Sequence, residues 1–83
     1  MVDKSQTGLR IAAPVLKVLK GLAEYKDTSL GDLVEGIVLH AFENKQPFAP
    51  ETLEVIAKLK DVYGCHYTAA DAHGLADDGV NKQ

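Results

Sequence analysis

This sequence lacks the features of a multidomain, disulfide-bonded, membrane-spanning or secreted protein. Its 83 residues suffice for one domain and no more. A single cysteine excludes an internal disulfide, and we expect a cytoplasmic protein on that ground. No apolar run reaches the ~18 residues that a membrane span needs, and residues 1–6 are polar and lack the apolar core of a signal peptide. We therefore expect no membrane contact.

Signatures of catalysis and of metal binding are also scarce. No glycine-rich phosphate loop or paired-carboxylate arrangement stands out, so the sequence predicts neither an enzyme nor a cofactor site. Cys65, His66 and His73 are metal-ligating residue types, but their spacing matches no standard zinc pattern. Cys65 beside His66 is a poor nucleophile–base pair, because neighbours in a flexible segment have no fixed geometry. We expect no metal site.

Positive charge is in deficit as well. The formal net charge is −3 at pH 7, which argues against a generic nucleic-acid binder. The distribution is uneven, however. Residues 1–26 contain five cationic side chains against two carboxylates, a balance of +3, and residues 27–83 contain four against ten, a balance of −6. This asymmetry allows a basic face on the N-terminal third beside an acidic remainder.

One short segment, roughly residues 6–12, has the alternation of a β-strand. Leu9 and Ile11 alternate with small or polar neighbours, namely Gly8, Arg10 and Ala12. A lone strand needs a partner for its backbone N–H and C=O groups, and the simplest partner is the same strand of a second copy, laid antiparallel. A chain of this length buries only ~60% of its unfolded surface when it folds alone, so pairing would also stabilise it. The segment predicts an obligate homodimer.

A first helix is predicted directly after the strand. Pro14 fits its first turn, where the missing N–H costs little. An apolar stripe at i, i+3, i+4 and i+7 follows: Val15, Val18, Leu19 and Leu22. Gly21 inside this helix costs about 1 kcal/mol relative to Ala, which indicates close packing at that point. Residues 26–28 are predicted to form the turn.

The second helix has a clear start at Ser29, which with Asp32 has the form of a capping box. Its apolar stripe extends nearly all round: Leu30, Leu33, Val34, Ile37, Val38, Leu39, Ala41 and Phe42. A helix that is apolar on most sides is buried on most sides, which favours a dimer interface. We expect His40 to be a structural residue of that interface, and residues 43–47 to end the helix.

A third helix is predicted from Pro50 to Gly64, with Gly64 in the C′ position. Beyond it the apolar pattern fades, and residues 65–83 are expected to be mostly disordered. The chain thus divides into a flexible arm at 1–5, the strand and first two helices at 6–46, a connector and third helix at 47–64, and the tail.

This succession resembles the ribbon-helix-helix family of the Arc/MetJ type, and small bacterial members that continue into a third helix. The likeness lies in Leu9-Arg10-Ile11 followed by Pro14, the apolar run 16–23 and the start of the second helix at 29–34, and covers about residues 5–44. It implies a mainly α fold in which one N-terminal strand pairs antiparallel across an intertwined homodimer. The implied dimer core comprises Leu9, Ile11, Leu33, Val34, Ile37, Val38 and Ala41.

The resemblance also implies a function, since in this family the two-stranded ribbon enters the major groove of double-stranded DNA. Carried over by position, the base-contacting residues are Gln6, Gly8 and Arg10, of which Gly8 has no side chain to offer. Arg10 could donate to guanine and Gln6 to adenine. The implied contacts to the DNA backbone are Lys4, Lys17 and the region of Ser29, Leu30 and Gly31, where helix amides face phosphate.

The leading hypothesis is therefore a homodimeric, sequence-specific DNA-binding protein, a repressor-like bacterial transcription regulator. A second hypothesis is an antitoxin-like protein whose C-terminal part binds a partner protein, because a minimal DNA-binding dimer needs no third helix. A third is a structural or protein-interaction dimer that has lost DNA binding, as the acidic net charge and Gly8 would allow.

Overall fold

The computed structural model describes residues 3–72, which form three α-helices and one short 3-10 turn. Helix α1 spans Ala13–Tyr25, α2 spans Leu30–Phe42 and α3 spans Pro50–Tyr63, and the 3-10 turn is Ala69–Asp71. Helix α1 packs against both other helices, and more extensively against α3 than against α2. The fold is mainly α, as predicted, and α1 is its central element.

The starts of the helices follow the sequence signals. Pro14 and Pro50 both lie in the first turn of their helices, where no intrahelical N–H bond is lost. Ser29 caps α2, because its Oγ accepts a hydrogen bond from the Asp32 amide at 3.1 Å. The reciprocal half of the predicted capping box is absent, since the Asp32 carboxylate accepts instead from Lys4.

All three helices end in the same backbone motif, with one residue in the left-handed conformation. The φ values are 59° at Asp27, 57° at Asn44 and 63° at Gly64. The amide of the following residue donates back to a carbonyl five residues earlier, as in Cys65 N to Lys60 O at 2.8 Å, which is the Schellman arrangement. Glycine takes this conformation freely and Asp and Asn tolerate it, so each helix has a defined last residue.

The core is small and joins all three helices. Leu22, Ala23 and Leu33 are buried, and six partly buried side chains pack around them: Leu19, Ile37, Phe48, Val55, Ile56 and Leu59. Leu33 and Ile37, predicted for the dimer core, therefore contribute to the core of a single subunit.

At Gly21, helix α1 packs closely against α3. A Cβ built on Gly21 would lie 3.0 Å from Leu59 Cδ2 and 3.7 Å from a ring carbon of Tyr63. The absence of a side chain lets the two helices pack here, which confirms the close packing predicted at this glycine.

Residues 3–12 contain no helix, turn or bend, and no strand is formed within residues 3–72 of the single chain. The strand predicted over 6–12 is therefore not present in one subunit. The physical reason is that a strand exists only in a ladder, and no other described segment of this chain lies alongside to complete one. None of the amides of residues 3–12 donates a backbone hydrogen bond to the described chain.

The structure describes residues 65–72 of the segment that the sequence predicted to be mostly disordered, and these residues contain fixed contacts. Cys65 is buried, and Thr68 and Asp71 form a capping box in which Asp71 Oδ2 accepts from the Thr68 amide at 2.8 Å. The rest of the predicted tail, residues 73–83, lies outside the described residues, as do residues 1 and 2. Among residues 3–72, no helix is long and apolar enough to cross a membrane.

Candidate dimer and nucleic-acid interface

Helix α2 has a second apolar face that its own subunit leaves uncovered. Val34, Val38, Ala41 and Phe42 recur at i, i+4, i+7 and i+8, so they share one side of the helix. Val38 is 39% exposed, Leu39 is 56% exposed and Phe42 is 78% exposed. Val34, Val38 and Ala41 belong to the dimer core that the resemblance implies. Leu39 and Phe42 are not in that core, although both are part of the all-round apolar pattern that favours an interface.

The N-terminal segment borders this face across an open hollow of ≈640 Å³. Leu9 and Ile11 from the segment, Leu16 from α1 and Leu30 and Val34 from α2 supply its apolar wall. Leu9 is 66% exposed, and the other four are half-buried. Leu16 was not predicted for this surface. Val34 belongs both to the lining of the hollow and to the exposed side of α2, and the apolar side chains of these two regions are together called the apolar face.

Lys4 ties the N-terminal segment to α2. Its Nζ lies 2.8 Å from Glu35 Oε1 and 3.3 Å from Asp32 Oδ1. Hydrogen bonds to Glu35 and then to Asp32 raise the pKa of Lys4 above its usual value, so the ammonium stays charged. All three side chains are more than half exposed, so this contact orients the segment and adds little to global stability. Lys4, predicted as a DNA backbone contact, is engaged within its own subunit.

The residues predicted to contact bases all lie on the exposed N-terminal segment. Gln6, Gly8 and Arg10 are each exposed, and Arg10 forms no ion pair among residues 3–72. A Cβ added at Gly8 would meet no atom within 4 Å, and the φ of Gly8 is not left-handed. Neither backbone strain nor crowding within the subunit requires glycine at that position.

The other predicted backbone contacts are divided between α1 and the start of α2. Lys17 is exposed on α1, and Lys20 is exposed at the edge of the hollow, which it lines. Ser29 uses its hydroxyl to cap α2, while the first amides of the helix, at Leu30 and Gly31, have no intrahelical acceptor. Lys17 and the first turn of α2 are thus both accessible to a ligand.

Neither His40 nor Cys65 lines the hollow of the apolar face. His40 Nδ1 lies 2.8 Å from the Gly36 carbonyl oxygen, and the ring lines a separate hollow of ≈230 Å³ beside Phe48. Cys65 is buried and His66 is exposed, and His73 falls outside the described residues. Residues 3–72 contain no group of three side chains suited to hold a metal ion.

No protein-family model matches this chain, and no curated protein sequence or solved structure does either. The resemblance to the ribbon-helix-helix family therefore stays a prediction from the sequence pattern. What the chain could do must be inferred from the geometry of the apolar face and of the N-terminal segment.

Proposed function

We propose that this protein is a homodimeric DNA-binding protein of the ribbon-helix-helix kind, acting as a bacterial transcription regulator. The observation that supports this most directly is a juxtaposition within one subunit. An N-terminal segment with unpaired backbone amides borders the apolar face, whose side chains are uncovered. A second copy of the chain would satisfy both deficits at once.

The first deficit is in hydrogen bonding. If residues 6–12 of two copies pair antiparallel, their N–H and C=O groups bond across the two-fold axis. Side chains alternate across such a ribbon, so Leu9 and Ile11 would face the helices while Gln6, Gly8 and Arg10 face outward. In the single chain Leu9 and Ile11 line the hollow and Gly8 and Arg10 do not, as this arrangement requires, whereas Gln6 also lines the hollow and would have to turn outward on pairing.

The second deficit is in apolar burial. Leu9, Val38, Leu39 and Phe42 are all substantially exposed in one subunit. Complete burial of such side chains is worth about 1.5–3 kcal/mol each, and a dimer would bury two sets. Partial burial of eight side chains then contributes on the order of 10 kcal/mol, comparable with the estimated 4–15 kcal/mol cost of association. Pairing of the ribbon and burial of the helices are therefore both needed for a tight dimer.

The DNA-binding part of the proposal depends on Arg10. A two-stranded ribbon fits the major groove, and an outward guanidinium can donate two hydrogen bonds to guanine O6 and N7. The two-fold axis would present Arg10 twice, with Gln6 on the same face. Lys17 and Lys20 on α1 add cationic charge for phosphate contacts, which explains how a chain with net charge −3 could bind DNA locally.

The test combines oligomeric state with DNA binding. Sedimentation equilibrium should give a dimer at micromolar concentration, and a gel shift with genomic DNA fragments at low salt should show binding. Arg10→Ala should weaken binding to the selected site by about 1–3 kcal/mol and relax one base preference. Lys58→Ala, which removes one cation from an exposed position on α3, is the matched control and should have no such effect. A monomer, or unchanged binding by Arg10→Ala, would contradict the proposal.

A second candidate function draws on α3. The last turn of α3 exposes Val62 by 71% and Tyr63 by 41%. This surface could bind a partner protein in an antitoxin-like arrangement. Isolation of the protein from its native cell as a stoichiometric complex that Val62→Asp disrupts would favour this candidate. A dimer that binds no DNA even at low salt would instead favour a purely structural role.

A further inference from the structure

Two carboxylates lie beside the segment that would enter the DNA groove. Asp32 and Glu35 project from the first turns of α2, and both reach Lys4, which lies two residues before the start of the predicted ribbon. In the proposed complex the phosphates that flank the ribbon would approach this same edge of the subunit. Each carboxylate would repel them, because like charges a few ångströms apart still interact appreciably in water.

Lys4 is the cation that offsets these charges in the structure. One ammonium group lies within 3.3 Å of an oxygen of each carboxylate, and so the local charge falls from −2 to −1. Asp32 is held in position independently, since its amide donates to Ser29 Oγ. A Lys4 side chain that left to contact a phosphate would expose both carboxylates to the same DNA strand. Direct contact by Lys4 therefore has a cost that Lys17 and Lys20, which form no ion pair among residues 3–72, do not have.

We propose that Lys4 supports DNA binding as a positioning residue, by holding the N-terminal segment on α2 and neutralising Asp32 and Glu35, without contacting a phosphate itself. This inference rests on the proposed DNA-binding function. This role differs from the direct contact to the DNA backbone that the resemblance implies for Lys4. Lys4 would instead be the partner, within the same subunit, of the carboxylates at the start of α2.

The experiment compares four proteins by DNA affinity and by its salt dependence: wild type, Lys4→Ala, the double variant Asp32→Asn/Glu35→Gln, and the triple variant. Asn and Gln keep the shape of the acids, and far-UV circular dichroism checks that α2 is retained. Lys4→Ala should weaken DNA binding about tenfold. One additional uncompensated carboxylate charge at ~7 Å from a phosphate lowers the affinity by a factor of about three in water, and the dimer contains two such sites. The triple variant carries a local charge of 0 where wild type carries −1, so it should bind at least as tightly as wild type.

The salt dependence of the DNA affinity is a second measurement, and its value would change if Lys4 contacted a phosphate. If Lys4 released a counterion in each subunit, Lys4→Ala would lower the slope of log affinity against log salt by about two for the dimer. Neutralisation within the subunit predicts an unchanged slope. Lys45→Ala is the control, because Lys45 pairs with Glu43 at 3.5 Å at the far end of α2 and is equally exposed. Its affinity and slope should both match wild type.

Three results would overturn the inference while leaving DNA binding intact. They are a triple variant that stays about tenfold weaker than wild type, a salt slope that falls by about two in Lys4→Ala, and a Lys4→Ala protein that binds like wild type. Absence of DNA binding by the wild-type protein would instead remove the proposed function, and the role of Lys4 with it.

Discussion

Val38 offers the most direct test of the apolar face. The substitution Val38→Asp places a carboxylate on α2 at a position that is already 39% exposed in one subunit, so a single subunit can keep the charge hydrated. In the proposed dimer the same position is buried against a second copy. The variant therefore separates the stability of the subunit from the stability of the assembly.

The size of the effect follows from that exposure. Covering about two fifths of a valine contributes roughly 1 kcal/mol per subunit, which the variant loses twice. Burying a carboxylate without a partner costs a further ~2 kcal/mol or more per subunit, even if it is only partly dehydrated. The sum, about 6 kcal/mol, corresponds to an increase of about 10⁴-fold in the dissociation constant of the dimer.

Sedimentation equilibrium across nanomolar to high micromolar concentrations measures this shift. Val62→Asp is the matched control, because it makes the same chemical change at a more exposed position on α3. We expect Val38→Asp to sediment as a monomer at concentrations where wild type and Val62→Asp are dimers. If Val38→Asp remained a dimer with an unchanged dissociation constant, the apolar face would not be the subunit interface.

Two further predictions concern the fold of the single subunit. Gly21→Leu should lower the free energy of unfolding in urea by about 1–3 kcal/mol, because the new side chain would enter the space held by Leu59 and Tyr63; Gly8→Leu, in open space, is the control and should leave the subunit stability unchanged. Ser29→Ala should cost about 1 kcal/mol by removing the cap of α2, and Ser29→Asp should largely restore it; equal stability of Ser29→Ala and wild type would show that the cap is energetically neutral.

The helices were predictable because their ends have local causes. Pro14, Pro50 and Ser29 mark starts by backbone chemistry within a few residues, and Gly64 marks an end in the same way. The close packing at Gly21 was equally predictable from the sequence, because a glycine inside a helix is destabilising unless close packing requires it. The starts and ends of the helices depend only on residues a few positions away in the chain, so the sequence pattern is sufficient to predict them.

Features that depend on distant residues were not predictable in the same way. The sequence could not assign Leu33 to the subunit core and Phe42 to the exposed surface, because both belong to one apolar pattern and only the packing of α1 divides it. It also could not show the contact of Lys4 with Glu35, which joins residues 31 positions apart. The strand at 6–12 depends on a second chain, and the structure of one subunit leaves it a prediction.

The end of α3 has a practical consequence for measuring local motion. Cys65 is the only cysteine in the sequence, its side chain is buried, and its amide closes the backbone motif that terminates the helix. A thiol reagent can reach its sulfur only when this end of α3 opens, so the modification rate reports the population of that open state. Followed with and without DNA, the same rate would reveal whether ligand binding at the N-terminal segment slows the opening of the end of α3.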